Sequence, residues 1–380
     1  MDISLRETLE LEKFKGFRLV AGKNGLDRKV SKIGLLDYEM LSPIKGQFIE
    51  GEFALSTLLA AKDTPELIYS SVTYLIESGS SGLGVKDIYY DKLPEAVIDL
   101  ANENDFPIFM FDNSVYFEDI ITEFKTFLDA ITSEASMSAV IKEVITEKLS
   151  EENIKQSFRR LIGHYSGDYA CLYVHLKDKE LTETSLAMKA HRLSKRLPVL
   201  AVVPYKAGLV LIHKGIDWSE IYELLNQESI IEDKEYACGV GDLRTDEALF
   251  QSSLLETLNL TRIADVEGKA SCTSEEMGIY ELVMAIIGVS GIENYKQKII
   301  DPILAYDGGH NNSLFETAEA FVRSEGQIKV TAKLMNQHDN TIRYRLSKIK
   351  QVIGVKGSDI LLYERLSLAL RLYWIEELAY

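Results

Sequence analysis

Between residues 30 and 112 the chain repeats one alternation, a short apolar run followed by a stretch with helical signals. The runs "SKIGLLDY", "EFALST", "SGLGV" and "FPIFMF" have the length and composition of buried strands. Thr64 and Pro65 read as the N-cap and first residue of a helix whose stripe is Ile68, Val72, Leu75 and Ile76, and Gly79 supplies its stop. A second helix is predicted to open at Pro94 and to bury Val97 and Leu100. Strands that alternate with helices are joined by crossovers rather than hairpins, so this pattern dictates βαβ units and a mostly parallel sheet. Residues 1–128 are expected to form this α/β domain.

At 380 residues the chain is too long for one ordinary core, and the pattern changes twice more along it. Residues 129–165 read as a helical connector. Residues 166–273 read as an α+β domain of ferredoxin-like type: strand "YACLYVHL", a basic helix, strands "PVLAVVP" and "GLVLIHK", helix "WSEIYELLNQ", strand "YACGVG" and a long helix from Thr245. The short turn Tyr205-Lys206-Ala207-Gly208 marks an antiparallel hairpin. From Ser274 strand patterns stop. Residues 274–312 read as a second helical connector, with the apolar stretch Met277 to Ile292 expected to be a buried helix and "DGGHNNS" (Asp307 to Ser313) the most linker-like break. Residues 313–380 read as an all-α module.

Composition narrows the function. The start "MDISLRETLELEKF" lacks the apolar core of a signal peptide, and Met277 to Ile292 is too short to span a bilayer and carries Glu281. No membrane partner is expected, and the protein is expected to be cytoplasmic. Cys171, Cys238 and Cys272 are widely separated and in no ligand pattern, so reduced, buried thiols are expected. A formal net charge of -17 would repel nucleic acid unless positive charge is concentrated somewhere.

It is concentrated in "HDNTIRYRLSKIK", His338 to Lys350. Between Ile328 and Lys350 stand six Lys or Arg residues and one acid, a local net of +5 that leaves -22 for the rest of the chain. Three helices are predicted here, Leu314 to Arg323, Ile328 to Met335 and about Asn340 to Ile353, with turns at Ser324-Glu325-Gly326 and Asn336-Gln337-His338. A short helix, a three-residue turn and a longer helix can lay the longer helix in the DNA major groove. On the last helix Ile342, Leu346, Ile349 and Ile353 share one face and predict packing. The opposite face presents Asn340, Tyr344, Ser347 and Lys348, flanked by Thr341 and Arg343, residue types that serve base edges and phosphates. Arg345 lies nearer the apolar edge, where an intramolecular pair is open to it. A solvated basic face would have the same composition.

The residues also carry a resemblance. "LFETAEAFVRSEGQIKVTAKLMNQHDNTIRYRLSKIKQVIGV", continuing into "YERLSLALRLYWI", resembles the C-terminal helix-turn-helix of the PucR/CdaR family of bacterial transcription regulators. His338, Asn340, Thr341, Arg343, Tyr344, Arg345 and Leu346 match that family's H-x-N-T-x-R-Y-R-L signature. "YSSVTYLIESGSSGLGVKDIYYDKLPEAVIDLANENDFPIFMF" resembles the PucR-type N-terminal domain, and "EGEFALST" is similar to its GGELVLTTG stretch, with Glu50 and Leu58 in place of the outer glycines. "CGVGDLRTDEALFQSSLLETL" resembles the degenerate GGDEF-like domain of these regulators. The resemblance implies DNA-binding roles for His338, Asn340, Thr341, Arg343, Tyr344 and Arg345, and the open face of the helix adds Ser347 and Lys348 to that expected set. It also implies double-stranded promoter DNA as a partner, a small-molecule effector, often connected with purine or amino-compound catabolism, and a homodimer or higher homo-oligomer. The implied fold is an N-terminal α/β sensor domain, a ferredoxin-like GGDEF-type middle domain and a helix-turn-helix module.

No catalytic constellation stands beside this. The six histidines form no H-E-x-x-H pattern, the turn at Tyr205 to Gly208 lacks the paired carboxylates of a nucleotide cyclase, and "SGLGVKD" and "CGVGDLR" offer only G-x-G. No cofactor, metal or enzyme activity is expected. The alternative is a metabolite-binding protein or enzyme whose C-terminal helices serve assembly.

Overall fold

The computed structural model describes residues 3–41, 47–178, 181–227, 230–231, 235–310 and 313–378. The first elements are β1 (Ile3–Ser4), α1 (Leu5–Thr8), β2 (Arg18–Ala21), β3 (Lys29–Val30), β4 (Lys32–Leu35), β5 (Glu52–Ser56), α2 (Glu66–Glu77), β6 (Gly82–Lys86), α3 (Glu95–Glu103), β7 (Ile108–Phe111) and α4 (Phe117–Thr146). The sheet order is β2-β7-β6-β5-β4, with β4 to β7 parallel as their spacing demands and β2 added antiparallel at the edge. Strand β2 was not expected from the sequence. α2 and α3 cover one face over Ile68, Val72, Leu75, Leu83, Val85 and Val97. The other face buries Phe53, Leu55, Phe109 and Phe111 under Ile120, Phe124 and Phe127 of α4. Two details differ from expectation: Pro65 itself occupies the N-cap of α2 with no side-chain cap, and Leu100 is half-buried rather than buried.

Next come α5 (Glu151–Ile162), β8 (Ala170–Leu176), α6 (Glu183–Arg196), β9 (Ala201–Tyr205), β10 (Gly208–His213), α7 (Trp218–Gln227), β11 (Tyr236–Val240), α8 (Phe250–Val266) and β12 (Ser271–Thr273). Their sheet runs β12-β11-β8-β10-β9. β8 is antiparallel to β10 and β11, and β9 and β10 form a hairpin around Lys206-Ala207 with Tyr205 paired to Gly208. α8 lies directly on this sheet. Thr257 and Thr261 donate their hydroxyls to the carbonyls of Cys171 and Tyr173, and a Cβ at Gly239 would stand 2.1 Å from the Thr257 carbonyl oxygen. Only glycine permits that approach. The three cysteines are free and buried, and burial pushes the Cys171 thiol up to about 12.

The chain ends in α9 (Tyr280–Ile286), α10 (Ser290–His310), α11 (Leu314–Arg323), α12 (Ile328–Leu334), α13 (Asp339–Val352) and α14 (Asp359–Glu377). One expectation fails here. Met277 to Ile292 is not one buried helix: α9 is short, only Tyr280 and Val283 are buried, and Ile279, Leu282 and Val289 are exposed. The linker-like stretch Asp307 to Ser313 is helical as far as His310, where α10 ends; Asn311 and Asn312 lie outside the described residues, and α11 starts at Leu314.

The chain forms two compact units, Met1–Ile141 with Glu180–Arg196, and Lys142–Lys179 with Leu197–Tyr380. They are not consecutive segments. Within the first, α6 contributes Ala187 to the cluster beneath α4, and Thr182 donates to Glu7. Within the second, one continuous apolar cluster runs from Leu260 and Ile263 of α8 through α10 and α11 to α13 and α14. Among the described residues no helix is long and apolar enough to cross a membrane.

Candidate nucleic-acid interface

α11, α12 and α13 are cut by backbone chemistry that the sequence advertises. Each ends with a residue at positive φ: Glu325 and Gly326, Asn336, and Gly354. In each case a backbone N–H beyond the helix returns to a last-turn carbonyl, from Gly326 to Phe321, Gln337 to Ala332 and Val355 to Lys350. Asn336 thus makes the sharp turn between α12 and α13. At the other end of α13, His338 is the N-cap, its Nδ1 accepting from the Asn340 N–H at 3.2 Å. α11 is capped from outside itself: the Asp307 carboxylate accepts from the Leu314 and Phe315 N–H groups at 3.0 and 2.8 Å.

α13 is held by one face. Ile342, Leu346 and Ile349 are buried against the cluster shared with Phe321, Leu362 and Leu366, and Ile353 packs at its edge. The opposite face is open: Asn340, Arg343, Tyr344 and Ser347 are exposed, with Tyr344 at 69%. Spacings of three, four and seven residues place these four on one stripe. Thr341 is half-buried beside them. Lys348 is half-buried too, its Nζ donating to Gln351 Oε1 at 3.1 Å and lying 5.2 Å from the centre of the Tyr306 ring. Lys329 and Lys333 of α12 are exposed and extend the basic surface.

Two of the basic residues turn inward instead. Arg345 Nη1 donates to Thr317 Oγ1 of α11 at 3.3 Å, so it braces the packing of α13. Lys350 pairs with Asp359 at 2.7 Å and donates to the Gly357 carbonyl, which removes it from any surface charge count. Sequence reasoning missed Asp307, Tyr306 and Asp359, whose roles depend on neighbours 7 to 42 positions away in α11, α13 and the turn after it. The module is also tied to α8: Arg323 donates to the Val266 carbonyl at 2.8 Å and stacks 4.6 Å from the Trp374 ring, while Trp374 donates to Glu319. No group of His, Cys, Asp and Glu among the described residues could hold a metal ion.

Comparison with known proteins places this geometry. Two Bacillus subtilis (strain 168) proteins are similar in sequence. The DNA-binding transcriptional activator AdeR is 27% identical over 106 residues, 28% of this chain and 25% of its own length. The purine catabolism regulatory protein is 26% identical over 121 residues, 31% of this chain and 22% of its own. The chain therefore spans about a quarter of the curated relatives it matches. A solved regulator of polyketide synthase expression from Bifidobacterium adolescentis covers 65% of this chain and 99% of itself at 14% identity and a TM-score of 0.31, a likeness that carries no argument. Residues 7–128 match the purine catabolism regulatory protein-like family and residues 314–372 match the PucR C-terminal helix-turn-helix domain.

Proposed function

We propose that this chain is a ligand-responsive, sequence-specific DNA-binding transcription regulator, cytoplasmic and non-catalytic. The carrying observation is the division of α13 into a buried face of Ile342, Leu346 and Ile349 and an open stripe of Asn340, Arg343, Tyr344 and Ser347. On this reading α13 is the recognition helix. Arg343 and Asn340 read base edges, Thr341, Tyr344, Ser347 and Lys348 contact phosphate or sugar, and His338 and Arg345 set the helix in position. A homodimer would place two such helices on half-sites roughly 34–36 Å apart, or a multiple of that. The regulated operon, by analogy with the names of the relatives, belongs to purine or amino-compound catabolism.

The middle sheet is read as a degenerate GGDEF-like, ferredoxin-like domain. Its support is the order β11-β8-β10-β9 for strands that follow one another as β8, β9, β10 and β11. Lys206-Ala207 at the hairpin offers no paired carboxylates for metal and triphosphate, so a scaffolding role fits. The N-terminal unit would take the effector and bias the spacing of the two recognition helices.

The test is titration of purified protein with its own upstream promoter DNA at several salt concentrations. Affinity should fall steeply with salt, with a slope of about -0.9 per neutralised phosphate. Binding that ignores salt, or wild-type binding by an Arg343→Ala/Lys348→Ala variant, would overturn the proposal.

A further inference from the structure

Lys86 ends β6 in an unusual position. Leu83 and Val85 face the cluster under α2, so Gly82, Gly84 and Lys86 face the opposite side, where Phe53, Leu55, Phe109 and Phe111 lie. At 7% exposure Lys86 is the one buried lysine or arginine among the described residues. Its ammonium lies 5.2 Å from the centre of the Tyr116 ring and 5.6 Å from that of Phe117. Among the described residues it has no carboxylate within ion-pair distance and no hydrogen-bond acceptor.

The rings in question open α4, and that helix start is itself unsatisfied. The N–H groups of Phe117, Glu118 and Asp119 have no acceptor among the described residues, and the residue before them, Tyr116, is not a capping type. The ammonium of a largely buried lysine and the amino end of a 30-residue helix therefore meet at one corner, and both favour negative charge. The corner lies at the carboxyl ends of parallel strands, the edge at which open α/β sheets take ligands. Thr57, one residue beyond the Ser56–Val85 pair, adds a hydroxyl, which donates to Asp37 at 3.4 Å. The acids nearby are otherwise engaged or exposed. Asp112 accepts from the Ser114 N–H at 2.7 Å, and the Ser114 hydrogen bonds, with a smaller contribution from the Lys86 charge, hold its carboxyl below the usual range; Asp119 pairs with Lys13 at 3.4 Å, and Glu118 is exposed.

We propose that Lys86 and the first turn of α4 form a binding site for a small organic carboxylate. One cation amid Asp37, Asp112, Glu118 and Asp119 matches a single negative charge better than a doubly charged phosphate. Tyr116, 68% exposed, offers a ring against which the apolar body of the ligand packs. The helix so engaged continues to Thr146, and its residues 142–146 belong to the second unit. That this site is a control input rests on the regulator reading; the site itself does not.

Thermal unfolding of the full chain, without DNA and at constant ionic strength, tests the site with acetate and benzoate, neutral benzamide and inorganic phosphate. Wild-type protein should show a saturable rise in Tm with a carboxylate and none with benzamide, and Lys86→Met should lose the response while melting no lower than wild type without ligand. The proposal is overturned if neither carboxylate shifts Tm, if Lys86→Met responds as wild type does, or if phosphate alone is effective. Since no DNA is present, failure of this test leaves the regulator reading standing, and loss of promoter binding leaves the site standing.

Discussion

Lys86 and Lys348 each hold an ammonium 5.2 Å from the centre of a tyrosine ring, yet they are in opposite electrostatic situations. Lys348 sits half in solvent on α13, with Gln351 beside it, so water and salt ions can reach it, and in the proposed complex a DNA phosphate would displace them. Lys86, 7% exposed, lies at the start of α4 with its ammonium facing the Tyr116 and Phe117 rings. An exposed cation reads long polyanions reversibly and with strong salt dependence. An enclosed one selects a single small anion and feels salt weakly. Cation–π geometry therefore says little about role until burial is known.

Four perturbations separate the two regions further. The largest effect is expected from Leu346→Ala, which empties a fully buried site beneath the open stripe of α13 and should cost about 2–5 kcal/mol in urea unfolding. An unchanged midpoint would mean that α13 is not held by this face. The second concerns Glu134, a 2% exposed carboxyl in α4 with one oxygen lacking a partner among the described residues. Burial pushes it up to about 7. Because its folded pKa lies above its unfolded value, its contribution is most favourable below the unfolded pKa and declines as pH rises toward 7. Glu134→Gln should thus match wild type near pH 4 and exceed it at pH 8 by on the order of 2–3 kcal/mol. Melting curves across that range check the sign.

Third, Arg343→Ala/Lys348→Ala should weaken promoter binding at least about tenfold and, through the one phosphate assigned to Lys348, reduce the salt slope by about 0.9, with stability changed by less than about 0.5 kcal/mol. Lys86→Met should leave that slope unchanged, and anisotropy titrations at several salt concentrations compare the two. The smallest effect belongs to Asp307→Ala, which removes the cap of α11 and should cost about 1 kcal/mol in the same urea experiment used for Leu346.

The helix-turn-helix was the most legible part of the sequence because each boundary is marked by local chemistry, at Gly326, Asn336, His338 and Gly354. The four parallel strands were legible for a related reason: strands buried on both faces read as unbroken apolar runs. β2 escaped because Arg18 is exposed and Leu19 and Val20 only half-buried, a weak signal for an edge strand, and β12 has only three residues. Met277 to Ile292 misled because apolar composition does not reveal which side chains find a partner. In the site, the open stripe followed from helical spacing, while the inward turn of Arg345 and Lys350 depends on Thr317 and Asp359, contacts that no periodicity encodes. Nothing in the sequence singles out Lys86. Its enclosure comes from α4, which begins 31 positions further along.

The excursion of residues 180–196 into the first unit has a practical corollary. The backbone crosses between the units three times, within α4, before α6 and after it, so no single cut releases either one intact. A fragment ending near residue 130 would lack the helix that places Ala187, 1% exposed, in the cluster beneath α4, and would present raw apolar surface to water. The same threading leaves α6 joined to the first unit by packing alone, with the chain on either side of it in the second, so proteolytic nicking at both ends should loosen the first unit before the second.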